Sequence, residues 1–367
     1  LRKLLTTEGS ENKKMRTLGK ILLLVLLCTL EFTRFANADP QKSERSGLVI
    51  LQYHHVADNT PAVTSIKPAE FQQHLQFLQE NNFVIVNLAD ALEKIRQGQP
   101  LPAKAVALTF DDGYLNLEDY ALPELAKRNW PATIFVNPGL LQQHEQHYLS
   151  WSQLKAWQKK GMTIANHGWL HDYWVRPAGM DLADWKKRIK QSILQTEKAL
   201  KSELDHSSKL VAYPYGEYDT WLQQWLTQHN FIAFGQQSGA IAQYSDFSAL
   251  PRFPASGVYA DLATLKVKLM SEALPIDYTQ LPSPLLATSN NPPEIQLKLN
   301  LPKAVGGLNC FVSGQPSAKV SKITENSFRV VASENLPQGR SRYNCTLQSE
   351  KAGVFYWLSQ LWLNYPS

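Results

Sequence analysis

The sequence predicts an α/β protein, a distorted (β/α)7-type barrel followed by a small all-β sandwich. Two observations carry that reading. From residue 47 to about 270, seven short apolar runs of strand character alternate with segments of helical periodicity, the pattern of a parallel sheet wrapped by helices and closed, or nearly so, into a barrel. After about residue 272 the helical periodicity stops and alternation of apolar with polar residues takes over. The 367-residue chain is 44% hydrophobic and 19% charged, with 21 Pro and 18 Gly, which supplies a core for both parts and excludes collagen-like, coiled-coil and wholly disordered chains.

The barrel strands are expected at 48–51, 83–86, 105–110, 132–136, 162–165, 210–213 and 231–234. Between them, 68–79 places Phe71, Leu75 and Leu78 on one helical face, and 182–204 is a long amphipathic helix. Pro275, Pro282, Pro284, Pro292 and Pro293, with Ser and Asn between them, mark a linker over 272–293. It divides a barrel domain, 39–271, from a sandwich domain, 294–367, whose strands are expected at 295–299, 308–312, 327–331, 343–347 and 354–363.

Residues 1–38 read as a secretory signal, with residues before Met15 belonging to an over-long start. Arg16 and Lys20 flank the apolar run 21–30, and Ala36-Asn37-Ala38 offers small residues at the cleavage spacing. The run is short for a bilayer span, so no stable transmembrane segment is expected after cleavage; an uncleaved anchor is the alternative. Leu27 stands before Cys28 where lipidation needs a small residue. The net charge of +5 is concentrated in this segment, and the remainder carries 30 basic against 29 acidic residues, which argues against a nucleic-acid partner. Cys310 and Cys345 either form one disulfide in an oxidising compartment or stay buried thiols. Nothing in the sequence sets the oligomeric state.

Four segments with chemical character each close a strand. Thr109-Phe110-Asp111-Asp112-Gly113 offers adjacent carboxylates able to divide metal binding from base catalysis, although one could instead cap the following helix. His167 and His171, four apart on a helical turn, suit one divalent ion. Nine His in 367 residues yield such a pair by chance roughly one time in five, so the pair needs company; His144 and His147, in a Gln-rich stretch with no preceding strand, are read as solvated surface. Tyr213-Pro214-Tyr215-Gly216 and Tyr53-His54-His55 are the other two. A barrel brings all four to one rim. Strand alternation puts Gln52 and His54 on one face and Leu51, Tyr53 and His55 on the other.

In this order the four segments resemble the NodB-homology polysaccharide deacetylases, carbohydrate esterase family four, over roughly residues 47–270. The early Tyr-His-His resembles the permuted branch of poly-N-acetylglucosamine deacetylases. The resemblance implies a hydrolase of N-acetylglucosamine-containing polysaccharide that releases acetate, acts in the periplasm, at the cell envelope or outside a bacterium, and uses one divalent metal ion, zinc before cobalt or nickel. It assigns Asp112, His167 and His171 to the metal, Asp111 as general base, His54 as general acid and the Tyr215 backbone N–H to the oxyanion. Arg252 is the candidate for orienting the base, with an ordinary salt-bridge arginine as the alternative, and Tyr53, Trp169 and Pro214 are candidates for contacts with the acetylated polysaccharide, with core packing the alternative for the aromatic rings. Two departures stand out: Ala212 occupies a position where many members carry Arg, and the C-terminal Leu-x-His is missing. They leave open a catalytically impaired, glycan-binding protein of the same fold.

Overall fold

The computed structural model describes residues 44, 45, 47–287, 290–301 and 306–365; the expected signal segment lies outside the described residues. Seven strands build the first part: β1 Gly47–Tyr53, β2 Val84–Ile85, β3 Ala105–Phe110, β4 Thr133–Val136, β5 Thr163–Asn166, β6 Leu210–Ala212 and β7 Ile232–Phe234. They lie in the spatial order β7-β6-β5-β4-β3-β1, with β2 beside the first half of β3, and every pairing among them is parallel. The ring closes through 250–254. The Gly235 N–H donates to the Leu250 carbonyl on one side, and Phe253 pairs with Leu51 of β1 on the other. Neither this closure nor the short antiparallel strand Ile241–Ala242 on β1 was expected from the sequence.

Alternation along the strands sorts the core into two shells. Leu48, Ile50, Ala105 and Ala107 meet Phe135, Ala165, Ala212 and Phe234 inside the ring, where the helix Leu88–Arg96 adds Leu88, Ala91, Leu92 and Ile95. Val49, Leu51, Tyr53, Val106, Leu108 and Phe110 point outward into a second cluster with Phe71, Leu75 and Leu78 of the helix Pro68–Glu80. β3 is consequently buried at all six positions, as a strand covered on both faces must be. The helix Leu182–Leu204 starts on Asp181, whose carboxylate accepts from the Ala183 and Asp184 N–H groups. It buries Trp185, Ile189, Ile193, Leu200 and Leu204 against the sheet.

The second part has two small sheets on one core. Glu272–Ala273, Phe355–Asn364, Gly339–Gln348 and Asn309–Val312 form one; Glu294–Lys298, Ser327–Val331 and Lys319–Thr324 form the other. Cys310 and Cys345 face each other across a strand pair and are joined as a disulfide. The expected linker is no free tether over its first half. Glu272–Ala273 pairs with Tyr356 and Trp357, while Leu274, Ile276, Tyr278 and Leu286 are buried in the sandwich core. Their apolar side chains gain more from that core than the Pro-rich composition suggested. The sandwich is fixed to the barrel, with Leu361 and Leu363 buried among Tyr213, Tyr218, Leu222 and Trp225.

Candidate active site

The site sits where β1, β3, β5 and β6 end. Asp111 follows β3 directly, and its N–H donates to the Tyr53 carbonyl, so the carboxylate continues the inward parity of Ala107 and Thr109. At Asp112 the chain turns into the left-handed region, φ 72°, and stays there at Gly113, φ 70°. A Cβ on Gly113 would lie 2.9 Å from Val136 Cγ1, so the turn needs glycine for space as well as for conformation. The turn reverses the aim of the two carboxylates. Asp111 points into a fully buried charge pocket, and Asp112 points to the rim.

Arg252 is fully buried and grips Asp111 with both terminal nitrogens, at 2.6 and 2.8 Å. It is itself tied by Nε to the Gly235 carbonyl at 3.0 Å, and Gln52 donates to Asp111 Oδ2 at 2.6 Å. Burial alone would raise the Asp111 pKa, but the Arg252 guanidinium and the nearby imidazoles outweigh it and hold the group at about 2. Asp111 is therefore an oriented carboxylate at neutral pH. His54 Nε2 stands 3.9 Å from Asp111 Oδ2 on the same face as Gln52. His55 turns away to stack on Tyr114, with Nδ1 2.8 Å from the Asn116 amide.

Asp112 Oδ1 lies 3.3 Å from His167 Nε2 and 3.4 Å from His171 Nε2, and one ligand atom from each residue falls within 4.8 Å of the others. The His167 Nδ1 proton goes to the Ala212 carbonyl, 2.8 Å away, which leaves the Nε2 lone pair aimed at Asp112. Asp112 Oδ1 and His167 Nε2 are buried with no hydrogen-bond partner among the described residues. Two facing lone pairs of this kind call for a cation, so the donor set fits one divalent ion with His171, at 19% exposure, on the open side. Such an ion, when bound, polarises a carbonyl and makes a bound water more acidic.

The His167 turn is made by groups that no sequence motif marks. Asn137 Nδ2 donates to the His167 and Gly168 carbonyls, and the Gly168 N–H donates to Asn166 Oδ1. A Cβ on Gly168 would meet the Trp174 ring at 2.7 Å. Trp169, half-buried on this turn, donates its backbone N–H to Ser192 Oγ. Beyond His171, at φ 55°, the Tyr173 ring stacks on Tyr215 with centroids 4.0 Å apart, and Tyr215 itself has φ 59°. Three non-glycine residues in the left-handed region at one rim, Asp112, His171 and Tyr215, are held there by their surroundings.

Two expected substrate contacts are buried. The Tyr53 ring is fully buried against Phe71 and Phe110, its hydroxyl 3.0 Å from His74 Nδ1; its parity with Leu51 sends it outward into the helix layer. Pro214 is buried beneath the Tyr215 turn. Gln52, Asn137, Asn166 and Tyr173 were missed. Gln52 alone carried a usable signal, its shared face with His54.

Residues 98–233 match the family model described as polysaccharide deacetylase, a span that holds Asp111, Asp112, His167, His171 and Tyr215. The chain is 22% identical over 284 residues to a poly-beta-1,6-N-acetyl-D-glucosamine N-deacetylase of Escherichia coli, covering 66% of this chain and 42% of that protein; it thus spans less than half the length of that relative. Among solved structures it is similar to IcaB from Ammonifex degensii, with TM-score 0.53 and 24% identity over 62% of this chain and 98% of that one. It is also similar to the Streptococcus pyogenes deacetylase PplD in complex with acetate, with TM-score 0.53 and 21% identity over 61% and 98%. At these identities the structural likeness speaks to the fold, and the family model to the segment that carries the site: this chain contains a polysaccharide deacetylase domain of the NodB type.

Proposed function

We propose that the protein is a metal-dependent N-deacetylase that removes acetyl groups from an N-acetylglucosamine polysaccharide, outside the cytoplasm of a bacterium. The observation that carries the reading is the division of two neighbouring carboxylates, Asp111 clamped by Arg252 and Asp112 facing His167 and His171. A deacetylase needs one to take a proton and the other to hold an ion. In this reading Asp111 accepts the proton of the attacking water, and the Tyr215 N–H receives the developing oxyanion. His54 then protonates the departing amine, which leaves poorly as an anion, and Trp169, half-buried on the His167 turn, is the sugar contact in this reading. The relatives' names favour a β-1,6-linked polymer as substrate. Zinc is the ion we propose, and cobalt or nickel suits the same donors.

A catalytically impaired glycan binder drew its support from Ala212. Arg252 places a guanidinium on Asp111 from another strand end, which favours the active reading. Acetate release should be measured on β-1,6-poly-N-acetylglucosamine, chito-oligosaccharides and peptidoglycan, with metal and after chelation. Metal-dependent release, strongest on the first, is expected. Release that survives complete metal removal, or none on any of the three, sinks the proposal.

A further inference from the structure

The two flanks of the Tyr215 turn are held by the sandwich domain. Arg340 opens the strand Gly339–Gln348 and donates from Nη1 to the Tyr215 carbonyl at 2.5 Å. Its Nε lies 3.4 Å from Glu217 Oε1, and its guanidinium stands 5.9 Å from the centre of the Tyr215 ring. Tyr365, just past the strand Phe355–Asn364, donates its hydroxyl to the same Glu217 oxygen at 2.6 Å. Arg340 pairs with Leu363 across these strands, and Leu363 is buried against the barrel. Both donors therefore come from the ends of the two central strands of a sheet that is fixed on the domain it grips.

What they hold is a turn that cannot hold itself cheaply. Tyr215 sits at φ 59° with a side chain that disfavours that region. Glu217 is 1% exposed, and burial pushes its pKa up against the pull of Tyr365 and Arg340; a carboxylate so placed needs its donors. Tyr215 also carries the ring that meets His171 and stacks on Tyr173. A shift of the turn would move the backbone N–H and the ring together.

We infer that Arg340 is a positioning residue for the deacetylase site, through which the C-terminal domain sets the Tyr215 backbone N–H against the reacting acetamide. The inference rests on the role proposed for Tyr215 above. It gives the sandwich a task that neither its composition nor the family match assigns.

The test uses the full chain. Arg340→Ala should lower kcat by about 10- to 100-fold, the scale on which small misplacements of reacting groups act. KM should stay within about twofold and metal content should stay parental, with only a small fall in Tm because Tyr365 still donates to Glu217. Arg340→Lys should recover part of the loss, since one ammonium can reach the carbonyl or the carboxylate but does not fork to both. Hydrogen exchange at 213–217 reads the positioning without turnover: it should accelerate in Arg340→Ala and in Tyr365→Phe while β3 and β5 stay protected. Unchanged kcat in Arg340→Ala, unchanged exchange at the turn, or a loss of activity matched by loss of metal or by global unfolding overturns the inference. A parental enzyme with no acetate release on any glycan fails the functional proposal instead, and the exchange result still decides this one.

Discussion

The two sides of the candidate site are built on different terms. On the β1 and β3 side, Gln52, Asp111 and Arg252 are buried and joined by short hydrogen bonds. On the β5 and β6 side, His171 is partly open and Tyr173 is 55% exposed, and aromatic stacking replaces charge pairing. On the function proposed above, the difference follows from what each side must do. A general base has to keep one orientation and one protonation state, and a dry bidentate pair secures both. A surface that admits a polymer has to stay uncovered until the ligand arrives.

The largest expected effects separate the two carboxylates within that comparison. Asp112→Ala should abolish metal retention and bring turnover to background, with the barrel still folded by circular dichroism, because its partners are ligands and not core residues. Asp111→Asn should keep the metal and lose about 1000-fold in kcat, within the usual range for a general base. Metal analysis beside kinetics checks both. If Asp111→Asn lost the ion and Asp112→Ala kept it, the roles would be reversed.

Next comes the acid. His54→Ala should cost about 100-fold in kcat with metal content unchanged, and His55→Ala should cost less, since its ring packs on Tyr114 away from Asp111. With the Asp111 pKa held at about 2, the base stays ionised as pH falls well below neutral, so protonation of Asp111 should not limit the rate there. The opposite ranking of the two histidines would move the acid to His55.

The charged side was more legible in the sequence than the open side, for a physical reason. Asp111, Asp112, His167 and His171 sit at strand ends, and a parallel barrel brings strand ends together whatever the loops do. Arg252 could be nominated only as a candidate, because its partner lies 141 residues away and the clamp depends on how the ring closes through 250–254. Tyr53 was misplaced when its motif was followed over strand parity, which had already grouped it with Leu51. The stretch from residue 272 was read by its prolines, although Leu274, Ile276 and Tyr278 alternate as a packed extended segment does. Contacts between domains, such as Arg340 with Glu217, leave no periodic trace at all.

The smallest expected effect is on the open side and tests whether it serves binding. Tyr173 contributes an exposed ring stacked on Tyr215 at an interplanar angle of 9°, an orientation that gives a sugar one broad apolar face. Removing one ring from such a pair costs about 1 kcal/mol, roughly fivefold in an affinity. Because the Tyr215 turn is gripped from its other flank by Arg340, loss of the Tyr173 ring should leave the backbone in place. Tyr173→Ala should thus raise KM for a long oligomer about fivefold while kcat stays within about twofold, and Tyr173→Phe, which keeps the ring, should behave as the parent. A fall in kcat at constant KM would mean that Tyr173 supports the oxyanion turn and not the polymer, and the two sides of the site would then differ in exposure but not in purpose.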